Sequence, residues 1–300
     1  MSDPDLVIRG GSVLDGTGAA ERTADVAIRD GVVVEVGQVS ARGRREIDAA
    51  GALVTPGFVD IHTHYDGQAT WANRMTPSSY HGVTTAVMGN CGVGFAPVRP
   101  SDHDLLIELM EGVEDIPGAA LHEGLSWDWE SFPEYLDYLG GRRFDMDLGA
   151  QLPHGALRVF VMGQRGADRA PATEEDAAEM RRLTAEAMRA GALGFSSSRT
   201  LNHRSSRGEP TPSLTAEAME LNAIALGLKD AGRGVLEMIS DFQDLDAEFA
   251  LLEAMVDGPF YSWYPKETSI SRAAAEEALN AVLGAVLRFG PFDGVFGFSQ

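Results

Sequence analysis

Short β-branched runs interrupted by Gly and Asp fill the first fifty-five residues of the chain. Residues 6–9, 11–14, 26–29 and 32–36 each read as a strand, and residues 46–48 and 52–54 as two more. Asp30-Gly31, between the third and fourth runs, is a hairpin signal, because glycine tolerates the positive φ that a tight hairpin demands. The pattern predicts an antiparallel sheet too small to hold a core alone.

After Thr55-Pro56-Gly57 the period changes. Short, mostly apolar runs at 58–61, 83–88, 146–152, 192–195 and 235–239 read as strands, the first of them as one buried on both faces. Amphipathic stretches lie between them. Ser101 opens one, with Asp104 placed for a capping arrangement; Thr173 opens another, acidic at its start and ended by Gly191. Thr215 opens a third, ended by Gly232. Alternating strands and helices predict an α/β fold, either a parallel sheet or a TIM-like (β/α)-barrel. Five strands are visible to Ile239, with a sixth candidate at 295–299. A closed barrel uses eight strands over about 250 residues, and the long excursion between Gly89 and Asp145 consumes much of the length available. The barrel is therefore expected to be incomplete, with five or six of its eight strands.

Composition narrows the partners. A formal net charge of −21 argues against nucleic acid and anionic membrane, both of which need a basic face. The N-terminus lacks a basic segment followed by an apolar one, and the single cysteine, Cys91, precludes an intrachain disulfide, so a cytoplasmic location is expected. Lys229 and Lys266 are the only lysines, and neither falls on the strand at 192–195.

His62-Thr63-His64 follows the first apolar strand of the barrel pattern. One residue of spacing projects both imidazoles to one face, and strand C-termini in a barrel converge on the active site. Neutral imidazole is a ligand for zinc and similar divalent ions. Asp60 and Asp66 flank the pair and are candidates to orient it. Cys91, between a strand end and glycines, is either a thiolate ligand or a small buried hydrophobe.

The segments PGFVDIHTHYDGQATW, SSYHGVTTAVMGNCGVGFAPV, MEGVEDIPG and GALGFSSSRT resemble the N-acyl-D-amino-acid deacylase (D-aminoacylase) branch of the amidohydrolase superfamily. The resemblance runs from about residue 6 to about residue 253. It implies a small β-sandwich, with residues 1–55 as its N-terminal part, and a metal-bearing barrel over 56–300, incomplete at its C-terminus. It also implies zinc, one or two ions, and hydrolysis of the amide of a small N-acyl amino acid. His62 and His64 match the family's strand-one metal pair, and Cys91 matches its cysteine ligand.

Departures accompany the likeness. The segment GVLEMISDF lacks the family's strand-five histidine, whose position falls near Met238 or Ile239; Glu237 or Asp241 are candidate oxygen ligands there. The catalytic base is unassigned, the family's aspartate being expected beyond Gln300, and residues 258–297 fit the family poorly. A dihydropyrimidinase-type cyclic-amide hydrolase shares the PGFVDIHTH entrance, and a metal-binding scaffold without activity is a further alternative. His154 and Arg199 follow strand ends and are candidates to face substrate, against loop and salt-bridge roles; His203 is open in the same way. His81, His103 and His122 read as structural or exposed, and Trp127 and Trp129 as packing a helix start capped by Ser131.

Overall fold

The computed structural model describes residues 3–241, which fall into two compact units, one up to Gly57 and one from Phe58. The first unit is a sheet of β1 (Leu6–Val13), β2 (Arg22–Arg29), β3 (Val32–Gly37), β4 (Arg45–Asp48) and β5 (Leu53–Val54). The order is β3-β2-β1-β4, with β5 also on β1. Asp30 and Gly31, at φ 51° and 76°, make the β2–β3 hairpin.

Two expectations are corrected here. Residues 6–9 and 11–14 belong to one strand, because the register shift between Ile8 and Gly11, with Gly10 at φ 65°, bends β1 instead of ending it. The sheet is also mixed, since β4 and β5 pair parallel to β1. Its apolar content is two small clusters, around Val7, Ala27 and Val39 and around Val13, Ala24 and Val26. Arg9 fastens the strands from outside, reaching Asp25 at 3.0 Å and Glu46 at 2.6 Å. Among the described residues this unit has one sheet, and no second sandwich layer is present.

The second unit is built on β6 (Phe58–Asp60), β7 (Val83–Met88), β8 (Asp147–Pro153), β9 (Gly194–Arg199) and β10 (Val235–Ser240). All neighbours are parallel, and the order β10-β9-β8-β7-β6 follows the chain without reversal. Doubly wound sheets reverse their order at a switch point; barrels do not. The five strands expected from the apolar runs are all present, and they form part of a TIM-like barrel. The sixth candidate, at 295–299, lies outside the described residues, as do residues 258–297.

Helices α1 (Gln68–Trp71), α2 (His103–Glu114), α3 (Gly118–Gly124) and α4 (Phe132–Gly140) occupy the excursion between β7 and β8 or precede it. Helices α5 (His154–Met162), α6 (Gln164–Ala167), α7 (Glu174–Ala190) and α8 (Ala218–Ala231) follow β8. Ser131 and Thr173 head α4 and α7 with reciprocal capping boxes to Glu134 and Asp176. The cap expected at Ser101 does not form, and the helix expected from Thr215 starts later. A 3₁₀ turn at Pro100–Asp102 carries the chain into α2, and α8 begins only after Glu217, without a side-chain cap. Trp129 is buried and its Nε1 donates to the Phe95 carbonyl at 2.8 Å, while Trp127 stacks on His103 at 3.8 Å between ring centroids. No helix among the described residues is long and apolar enough to cross a membrane.

Candidate metal centre

The His62–His64 segment sits just past the end of β6, where Thr63 is pinned to β7. Its N–H and its hydroxyl both donate to the Val87 carbonyl, at 2.9 and 2.8 Å. With Thr63 turned toward β7, the flanking imidazoles share the other face, their ring centroids 5.4 Å apart. Beyond β7, Gly89, Cys91 and Gly92 take φ of 79°, 56° and 69°. A left-handed cysteine costs free energy, and such strain persists only where neighbours over-determine it. They do so here. The Ser196 hydroxyl on β9 donates to the Gly89 carbonyl and accepts from Gly92 N–H at 3.0 Å. Asn90 donates to the carbonyls of Thr63 and Val87, each at 2.9 Å.

The loop brings Cys91 Sγ to 3.2 Å from His62 Nε2. One donor atom from each of His62, His64 and Cys91 lies within 4.8 Å of the others. Glu114, the last residue of α2, places Oε1 3.2 Å from His64 Nε2 and hydrogen-bonds Cys91. Glu237 on β10 places Oε1 3.2 Å from His62 Nδ1, and its Oε2 accepts from Gln151 at 2.7 Å. Gln151 on β8 also donates to Asn90 Oδ1 at 2.7 Å. A cavity of about 270 Å³ opens here, lined by His62, Cys91, Val113, Glu114, Asp115, His203 and Ile239. That volume suits a small polar ligand.

Electrostatics favour a cation. Burial, aided by the neighbouring His62 and His203, pushes the His64 pKa down to about 3, so its ring is neutral and able to ligate. Burial raises the Glu114 and Asp66 carboxyls to about 7 each. Burial and then the charges of Glu114, Glu237 and Asp66 raise the Cys91 thiol. Acidic groups raised together beside two imidazoles mark a place whose charge a divalent ion would neutralise. His64 Nδ1 and Asp66 Oδ2 are buried without a hydrogen-bond partner. The residues fit a bound divalent metal.

The remaining candidates are placed as follows. Asp66 is buried and accepts from the Gly89 backbone, so it supports the cysteine loop. His154 is fully buried, with Nδ1 2.8 Å from Ser197 Oγ and Nε2 2.8 Å from Glu220 Oε1. Both ring nitrogens are engaged within the protein, so the substrate-facing expectation for His154 is corrected. Arg199 Nη1 donates to the Ala216 carbonyl at 2.8 Å. Asp241 accepts from Thr200 and from Leu201 N–H, closing the loop after β9 instead of reaching the imidazoles. His203 lines the cavity, its Nδ1 2.9 Å from Ser198 Oγ.

Glu114 was not singled out from sequence. A signal for it exists in MEGVED, where acidic residues crowd the last turn of a helix against its dipole, with no basic residue there to offset them. Gln151 carried no such signal, because its partners lie 61 and 86 residues away.

Residues 45–284 match the amidohydrolase family. The chain belongs to that family. It is 36% identical over 195 residues to a D-aminoacylase of Alcaligenes xylosoxydans xylosoxydans, covering 64% of this chain and 37% of that protein. An N-acyl-D-glutamate deacylase of the same organism is 33% identical over 258 residues, covering 84% of this chain and 46% of that one. Among solved structures, a D-aminoacylase superposes with a TM-score of 0.64 at 32% identity, over 84% of this chain and 48% of that chain. N-acyl-D-glutamate deacylase from Bordetella bronchiseptica, complexed with zinc and a phosphonate inhibitor, superposes with a TM-score of 0.65 at 27% identity, over 85% and 49%. The chain thus spans about half or less of the length of these relatives.

Proposed function

We propose that this amidohydrolase chain carries the metal-holding part of a zinc-dependent deacylase acting on the amide bond of N-acyl-D-amino acids. The observation that carries the reading is the meeting of His62, His64 and Cys91 donor atoms within 4.8 Å, beside a cavity past the ends of parallel strands. Identity of 33–36% to deacylases of N-acyl-D-amino acids supports the substrate class.

His62, His64 and Cys91 would hold the ion. A divalent ion supplies Lewis-acid polarisation of the scissile carbonyl when bound. Glu237 places Oε1 3.2 Å from His62 Nδ1 and is itself held through Oε2 by Gln151, a carboxylate positioned beside the imidazole. Ser198 holds His203 by Nδ1 and leaves its other nitrogen for a substrate oxygen in the cavity. Strand β9 reads GFSSSR and offers no lysine for carbamylation, which disfavours the cyclic-amide alternative.

The test is zinc content by elemental analysis, paired with a panel of N-acetyl-D- and N-acetyl-L-amino acids. Stoichiometric zinc that is lost in His62→Ala and His64→Ala, with release limited to D-amino acids, is the expected result. Unchanged zinc in both variants would sink the metal assignment, and release from L-substrates alone would sink the substrate class.

A further inference from the structure

Glu114 touches two of the three residues whose donors converge, His64 and Cys91. In a tetrahedral site with bonds of roughly 2.0–2.3 Å, neighbouring donor atoms lie about 3.3–3.6 Å apart. His62 Nε2 and Cys91 Sγ are 3.2 Å apart, and Glu114 Oε1 and His64 Nε2 are 3.2 Å apart. The hydrogen bond between Cys91 and Glu114 joins these two pairs. The donors therefore run in a chain from His62 through Cys91 and Glu114 to His64, its two end links each close to a tetrahedral edge in length. His64 and Glu114 are also mostly buried, at 13% and 20% side-chain exposure, so their contact is not a loose surface encounter.

The placement of Glu114 has a cost that its helix does not recover. It ends α2 where the carbonyl dipoles point, and Asp115 follows at φ 55° in the left-handed region. Two carboxylates at a helix C-terminus are locally unfavourable, and one of them is aimed at imidazole and thiol. The excursion from β7 brings that helix end to the cavity, where both Glu114 and Asp115 line the wall. A lysine on β9 would be another source of an oxygen donor through carbamylation, and β9 has none.

We propose that the Glu114 carboxylate is the fourth ligand of the ion held by His62, His64 and Cys91. The inference rests on the metal-holding reading above but is independent of the substrate. A His₂CysGlu set supplies two neutral and two anionic donors, leaving a divalent ion with no net charge once the thiol is ionised. Glu114 then takes the place in the coordination sphere that a strand residue would otherwise fill.

The experiment loads the full chain with zinc, and separately with cobalt(II), comparing it with Glu114→Gln and Glu114→Cys. Glutamine keeps the size of the side chain and removes its charge. Zinc affinity, measured by chelator competition, is expected to fall at least about 10-fold in Glu114→Gln, with a weaker cobalt ligand-field band and the Cys91 charge-transfer band retained. In Glu114→Cys a second thiolate should about double the charge-transfer absorbance. That gain of signal stands even if the glutamine variant folds poorly. Zinc affinity and cobalt spectra equal to the parent's in Glu114→Gln, or a charge-transfer band unchanged in Glu114→Cys, would overturn the assignment. A parent chain that takes up no zinc would overturn it together with the metal-holding reading. An empty substrate panel with the zinc effect intact removes only the deacylase reading.

Discussion

His62 Nε2 and Cys91 Sγ lie 3.2 Å apart across 29 residues of sequence, and the contact exists because a serine on a third strand clamps the cysteine loop. Ser196 on β9 binds Gly89 and Gly92 on either side of Cys91. The left-handed cysteine is thus held from outside its own segment, by a residue 104 positions from Gly92.

Ser196→Ala should therefore weaken metal binding without touching a ligand. Residues that orient ligands typically change metal affinity by about 10–100-fold when removed. The expected result is a loss in that range by chelator competition, with the circular dichroism of the fold retained. Parent-like affinity would show that the loop holds its shape unaided.

The carboxylate beside His62 gives a second prediction. Gln151 uses one amide nitrogen to hold both Asn90 Oδ1 and Glu237 Oε2, each at 2.7 Å. Gln151→Leu keeps similar bulk but strands two acceptors, one of them in fully buried Asn90. Leaving a buried acceptor unpaired costs about 1–3 kcal/mol. Thermal or urea unfolding should report a loss of that size, and a variant as stable as the parent would show that water replaces the amide at no cost.

The short, mostly apolar runs made the five barrel strands legible, although burial on both faces does not hold throughout: Phe58 and Val59 of β6 are exposed. The His62–His64 pair and Cys91 were legible for a related reason: short motifs fix them to strand ends. Glu237 was legible as a candidate oxygen ligand, but Gln151 acts through partners 61 and 86 residues distant, and no local pattern encodes that. His154 stayed open between substrate and structure because a histidine at a strand end looks alike whether it faces a cavity or, as here, Glu220 and Ser197 in the interior. The N-terminal runs showed their strand character but not their mixed pairing, since alternation along a strand does not reveal the direction of its neighbour.

Gly112 supplies a third prediction, one that reverses the usual helix rule. In a helix interior Gly→Ala ordinarily stabilises by about 1 kcal/mol. Here a Cβ would stand 2.1 Å from Ser205 C and 2.3 Å from Arg204 O, backbone atoms of the loop that carries His203. Overpacking of this kind costs about 1–3 kcal/mol, so Gly112→Ala should lower the melting temperature by several degrees. Because the displaced loop lines the cavity with His203, ligand affinity should fall as well. A melting temperature at or above the parent's would mean that the loop moves freely away from α2.

The last prediction concerns acid stability and the buried network of Ser197, His154, Glu220 and Arg158. Glu220 is fully buried, accepting from His154 at 2.8 Å and paired with Arg158, itself almost without exposure. Burial pushes the Glu220 carboxyl up, but the hydrogen bond and charge of His154, with Arg158, outweigh it and hold the pKa below its usual 4.5. A carboxylate with a depressed folded pKa contributes stability that is fully present above the unfolded value and is lost as pH falls through the folded one. Glu220→Gln removes that contribution and leaves Arg158 as an uncompensated buried cation, at a cost of about 3–5 kcal/mol at neutral pH. The difference in unfolding free energy between parent and variant should be largest at pH 6–7, a window about two units above the usual glutamate value. It should shrink progressively below pH 4.5, where the parent's own carboxylate becomes protonated. Urea titrations at a series of pH values measure both curves directly. A gap that stays constant down to strong acid would show that Glu220 acts by packing alone, its charge contributing nothing. A gap that widens on acidification would mean that its folded pKa lies above the unfolded value, with burial outweighing His154 and Arg158.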